Sequence, residues 1–143
     1  MDEPKSLYVA CFAVVTTLGM LLALKLVQRF TYPHPVAHDL TKGNTARKLK
    51  RVGQVVAVFL VAASVVKNGA RGDNLVHDIL WVAAFGALGV VLVSVTGRIG
   101  VQLLLSSRLP KEIDRGNTAA GVAAAANYIA TGIITSHAIA GNN

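Results

Sequence analysis

The sequence predicts an all-α, polytopic membrane protein, with four transmembrane helices forming two tandem helical hairpins in one integral membrane domain over 1–143. Three observations predict it: four long runs without a charged residue, basic residues gathered on one side of those runs, and an internal repeat at one fixed offset. Composition agrees. The 143 residues are 53% hydrophobic and only 15% charged, where a soluble domain carries about 25% charge. Such apolar content excludes disorder. The single cysteine, Cys11, excludes a disulfide framework and the cysteine-rich zinc sites.

The first run, 6–24, has 19 uncharged residues and predicts a helix over about 7–30. The segment before it is acidic on balance and no small-residue cleavage site follows, so the run reads as a retained helix rather than a cleaved leader. The second run, 52–66, has only 15 residues, but Lys50, Arg51 and Lys67 at its ends can snorkel and extend it to a helix over 46–66. The third, 79–97, predicts a helix over 79–105, and the fourth, within the uncharged 116–143, a helix over 118–140. A bilayer core about 30 Å thick needs roughly 20 apolar residues in a helix. A soluble bundle would show a polar face at helical period, and the third and fourth runs have no charged face. No carboxylate falls inside any of the four predicted spans, which argues against a proton-driven pump.

Charge then orients the chain. Lys25, Arg29, Lys42, Arg47, Lys48, Lys50 and Arg51 flank the first hairpin connection, and Arg98, Arg108, Lys111 and Arg115 flank the third. Those eleven less Asp39, Glu112 and Asp114 leave +8 on one side. Lys5, Lys67 and Arg71 less Asp2, Glu3, Asp73 and Asp78 leave −1 on the other. The positive-inside rule predicts both hairpin loops in the cytoplasm and both termini outside. The basic run 41–51 has no aromatic residue to stack on bases, so Arg47, Lys48, Lys50 and Arg51 are expected to meet anionic headgroups rather than nucleic acid.

The repeat has an offset of 73. Gly43-Asn44-Thr45-Ala46 recurs as Gly116-Asn117-Thr118-Ala119, and without a gap Asp39 matches Glu112, Lys42 matches Arg115, Gln54 matches Asn127, Lys25 matches Arg98 and Tyr8 matches Trp81. Two helices per copy (about 7–66 and 79–140) imply parallel copies related by an axis along the membrane normal. Prolines 33, 35 and 110 break the chain before each motif. Gly43 and Gly116 permit a turn, and Asn44 and Asn117 stand where a helix N-cap belongs. Asp39 with Lys42, and Glu112 with Arg115, are opposite charges three residues apart. Lys25 and Arg98 close the preceding helices, where cations suit the dipole. Each motif is expected to pin one hairpin corner.

The fourth helix is built of small residues. Ala119/Ala123 and Gly121/Ala125 fit small-xxx-small packing, which lets helices approach closely in lipid. Asn127, Thr131 and Thr135 share one face. That stripe reads either as interhelical hydrogen-bonding glue or as the lining of a water-filled path. Gln54 repeats Asn127, so the two amides are expected to face each other or a common axis. His77 and His137 both fall on the outer side but do not form a cofactor pattern, and neither metal nor other cofactor is expected. No nucleophile–base constellation or phosphate-binding loop is present, and an enzyme is not expected.

Glu112-Ile113-x-x-Gly116-Asn117-Thr118-Ala119-Ala120-Gly121, leading into an alanine-rich stretch to Ala126, resembles the domain-of-unknown-function 350 family. The first copy carries the same Gly-Asn-x-Ala core. The resemblance covers about residues 7–140. It implies a small four-helix bacterial inner-membrane protein of two tandem repeats, without an established biochemical activity, working beside other membrane or stress-response proteins. One departure is that Arg47-Lys48-Leu49-Lys50-Arg51 follows the first motif, where relatives tend to have small apolar residues. The expected function is a non-enzymatic membrane subunit that self-assembles or scaffolds a membrane complex through its small-residue helices. The alternative is a small channel subunit lined by the polar face of the fourth helix. The expected partners are the lipid bilayer and further copies or subunits.

Overall fold

The computed structural model describes residues 3–31, 43–105 and 107–141. Among these residues all the regular structure is helical, without strands. Four long helices carry the fold: α1 (Glu3–Thr31), α2 (Thr45–Gly69), α3 (Leu75–Ile99) and α5 (Thr118–Ala140), with a short α4 (Leu109–Asp114) between the last two. All four long helices are long and apolar enough to cross a membrane.

The third helix corrects the sequence reading at both ends. It starts at Leu75 rather than at 79, because Asn74 caps it by accepting from the Val76 and His77 amides. Its first turn thus contains Asp78, a position where the helix dipole favours an acidic residue. The α-helix ends at Ile99, and Gly100–Leu105 continues as a π-helical turn. The connection expected before the fourth helix also holds α4, because Pro110 sits in its first turn, where a missing N–H costs nothing.

α2 and α5 form the centre and run parallel. Built on Gly121, a Cβ would lie 2.6 Å from the Ala46 Cα, and built on Gly132 it would lie 2.6 Å from the Ala57 Cα. The two backbones therefore touch at both levels. This is close packing of the kind small residues permit where lipid tails supply no hydrophobic drive between helices. α3 packs antiparallel to both. Gly89 takes Val61 of α2, Gly69 of α2 takes Trp81 and Val82, and Gly97 takes the ring of Tyr128 from α5. α1 lies on α2 and α3, with Met20 against Gly86. The core is small, with Ala57, Val58, Val61, Val65, Val93, Ala124 and Tyr128 essentially inaccessible.

The outside is apolar as well. Leu7, Val15, Leu18 and Leu22 of α1 are each at least 60% exposed, as is Ile134 of α5. Soluble monomers rarely expose such continuous apolar faces. In a bilayer they are the surface that meets the solvent.

Candidate functional site

Two corners, a polar seam and a latch at the opposite end carry the chemistry of the fold. The corners adopt one conformation. Gly43 and Gly116 have φ of 72° and 85°, in the left-handed region that favours glycine. Asn44 and Asn117 follow in extended backbone and cap their helices. Asn44 Oδ1 accepts from Arg47 N at 3.1 Å, and Asn117 Oδ1 accepts from Ala119 N at 3.1 Å. Among the described residues no atom lies within 4 Å of a Cβ built on Gly43, so Gly43→Ala is expected to add chiefly backbone strain. The expected loss is about 1 kcal/mol. Gly43→Asn should lose less, since asparagine tolerates this conformation. Unfolding titration of both variants checks the ranking.

The first corner is tied to the second. Asn44 Nδ2 donates to the Ile113 carbonyl at 2.9 Å and the Asp114 carbonyl at 3.3 Å, at the end of α4. Arg47 donates to Asp114 Oδ1 through Nη2 at 2.9 Å and Nε at 3.2 Å. Arg47 is therefore engaged on the protein itself, not held free for headgroups as the sequence suggested, because α4 brings an acidic residue to the start of α2. Lys48 is exposed, and Lys50 and Arg51 are half-buried. Glu112 accepts from Arg115 at 3.0 Å and from Asn117 at 3.2 Å. Lys25 and Arg98 are exposed near the same end. Asp39 and Lys42 lie outside the described residues.

Inside the span, the two related amides do not face each other. Gln54 Oε1 accepts from Gln28 Nε2 of α1 at 2.8 Å, and Asn127 Nδ2 donates to the Gly97 carbonyl of α3 at 2.7 Å. Each joins the second helix of a hairpin to the first. Gly100 makes room for the Asn127 amide at the start of the π-helical turn. Thr131 Oγ1 donates back to the Asn127 carbonyl at 2.8 Å, and both Thr131 and Thr135 are buried. Ser64 Oγ donates across the seam to the Ser136 carbonyl at 2.7 Å. The packed face of α5 runs through Gly121, Ala124, Tyr128, Gly132 and Ile139. Ala125 contacts Gly53, but Ala119 is exposed and Ala123 half-buried, so Ala119/Ala123 is not the seam. Backbone contact needs the glycines, and these lie on the other register.

The opposite end holds a residue that sequence reasoning passed over. Asp78 is 1% exposed. One of its carboxylate oxygens accepts from Tyr8 Oη of α1 at 2.9 Å and from Gly72 N at 2.8 Å. By sequence Asp78 is a flanking charge, yet it stands within the third helix, where Tyr8 and the Gly72 amide bond to it. A clue lay in the sequence, since a helix N-terminus accepts an acidic residue. Asp78→Ala would leave the Gly72 amide and the Tyr8 hydroxyl without their acceptor. The expected result is faster amide exchange at Gly72, with the α2–α5 seam still protected. Two aromatic pairs stand at this end: Tyr8 stacks on Phe12 at 5.6 Å and Trp81 on Phe85 at 4.2 Å. Phe12 and Phe85 share the 73-residue spacing of Tyr8 and Trp81, so the repeat extends to the stacked rings. His137 Nδ1 lies 2.9 Å from the Ile133 carbonyl of its own helix, and His77 Nδ1 lies 4.0 Å from Asp78 Oδ1. Among the described residues, no group of three or more potential metal ligands is gathered.

The family model Domain of Unknown Function (DUF350) matches residues 4–139. No curated protein and no solved structure matches the chain.

Proposed function

The chain belongs to the domain-of-unknown-function family DUF350, and we propose that it is a non-enzymatic subunit of the bacterial inner membrane that self-associates or scaffolds a larger membrane complex. The observation that carries this reading is the inward use of its intramembrane polar groups. Gln28, Gln54, Ser64, Asn127 and Thr131 all bond within the chain. A permeation path lined by the polar face of α5 would need that face on a water-filled surface. Thr131 and Thr135 are instead buried against the bundle, which favours glue over lining.

Association then falls to the uncovered faces. α1 is exposed along most of its length, and α5 turns Ala119, Ala126 and Ala130 outward. Small outward residues suit close approach by another transmembrane helix. The motif corners are placed on the cytoplasmic side and the termini outside, following the basic residues. The tandem repeat is supported by the matching corner conformations, the parallel α2–α5 pair and the two aromatic stacks.

Native mass spectrometry of the intact chain released from membranes tests the reading. A discrete multimer or a co-purifying subunit is expected, with no ion or solute flux in liposomes. A strict monomer without partners would overturn it, and conductance in liposomes would establish the channel instead.

A further inference from the structure

The geometry points to a phospholipid site between α1 and α2, at the end of the bundle opposite the motif corners. A groove of about 420 Å³ opens there, walled by Val9 and Ala13 of α1 and by Phe59, Ala62 and Ala63 of α2, with Lys67 at its end. Apart from Thr17 and Lys67, its lining side chains are apolar. The site requires that any second copy of the chain leave this groove uncovered, as association through the outward face of the Thr118–Ala140 helix would.

Three observations select the occupant. The first is length. From Phe59 to Lys67, and from Val9 to Thr17, the walls rise eight residues, or about 12 Å at 1.5 Å per residue. One leaflet of a bilayer core about 30 Å thick offers about 15 Å of hydrocarbon. The second is width. The space of about 420 Å³ lies between two helices that remain in contact with each other. An extended acyl chain is far narrower than a helix about 10 Å across, and a slot between two touching helices suits the narrower occupant. The third is charge. Lys67 stands in the last turn of α2, where the span meets the headgroup layer. It is exposed and makes no salt bridge among the described residues. Its cation lines the slot at the headgroup end, and because the choline cation of a zwitterionic lipid offsets its own phosphate and opposes a lysine, the preferred ligand is a phospholipid with a net negative headgroup.

The test titrates the intact detergent-solubilised chain with phosphatidylglycerol and, separately, phosphatidylcholine, reading bound lipid by native mass spectrometry. The wild type is expected to retain one phosphatidylglycerol with roughly tenfold preference over phosphatidylcholine, the size of one good charge-assisted contact. Lys67→Gln should bring the two lipids level, and Lys67→Arg should restore the preference. Ala63→Leu narrows the slot and should weaken both lipids together. An unchanged preference in Lys67→Gln would overturn the proposal. So would a second copy of the chain bound in the groove, seen as a dimer that Ala63→Leu converts to monomer. If Ala63→Leu fails to fold, the comparison of Lys67→Gln with Lys67→Arg decides the matter alone.

Discussion

Replacing Gly132 by valine is expected to destabilise the bundle by about 3 kcal/mol, the upper end of what overpacking costs. A Cβ at this position would lie 2.6 Å from the Ala57 Cα, 2.8 Å from its Cβ and 3.0 Å from its carbonyl oxygen. Two of those atoms are backbone, so no side-chain rotation relieves the contact. α2 and α5 would have to separate, and the seam is long: Gly121 rests on Ala46 and Gly53 on Ala125. Gly19→Ala is the control. Nothing lies within 4 Å of a Cβ at Gly19, on the exposed side of α1. That variant should be neutral or slightly more stable, because alanine favours a helix. Reversible unfolding in mixed lipid–detergent micelles measures both. A Gly132→Val chain as stable as the parent would mean that the α2–α5 seam does not hold the fold.

Asn127→Leu is expected to cost about 1–2 kcal/mol, in the range measured for interhelical hydrogen bonds in membranes. Leucine keeps the bulk that fills the notch at Gly100 but cannot donate to the Gly97 carbonyl. The more informative experiment is the double variant with Gln54→Leu. Gln54 bonds to Gln28 of α1 and Asn127 to Gly97 of α3, with no shared partner. Their costs should therefore add to within about 0.5 kcal/mol. A coupling well beyond that would put the two amides against each other across a common axis, as the repeat alone suggested. Permeability should be unaffected by either change.

The helices were legible because a bilayer imposes a length and forbids unpaired charge, and both constraints are written in one dimension. The fourth helix starts and ends where the sequence placed it, at Thr118 and Ala140. The corners were legible for a related reason. A helix entering the membrane needs its first amides capped, and Gly-Asn before an apolar run names that cap locally. The missed features depended on partners distant in sequence. Asp78 reads as a solvated charge until Tyr8, 70 residues away, is brought against it. Arg47 reads as a lipid anchor until α4 brings Asp114 to it. Pro110 reads as a break, though in a first turn it starts a helix.

By itself, then, the sequence determined the four long apolar helices and the two related corners. Each follows from short-range hydrophobicity, charge and capping. Only the tertiary structure decided which side of each helix faces inward. The stripe of Asn127, Thr131 and Thr135 is compatible with a pore or with glue so long as α5 is considered alone. Its direction is fixed by the register in which Gly121 and Gly132 meet the α2 backbone. Close packing between two nearly featureless apolar helices depends on where two missing side chains coincide, and that coincidence belongs to the pair of helices rather than to either sequence.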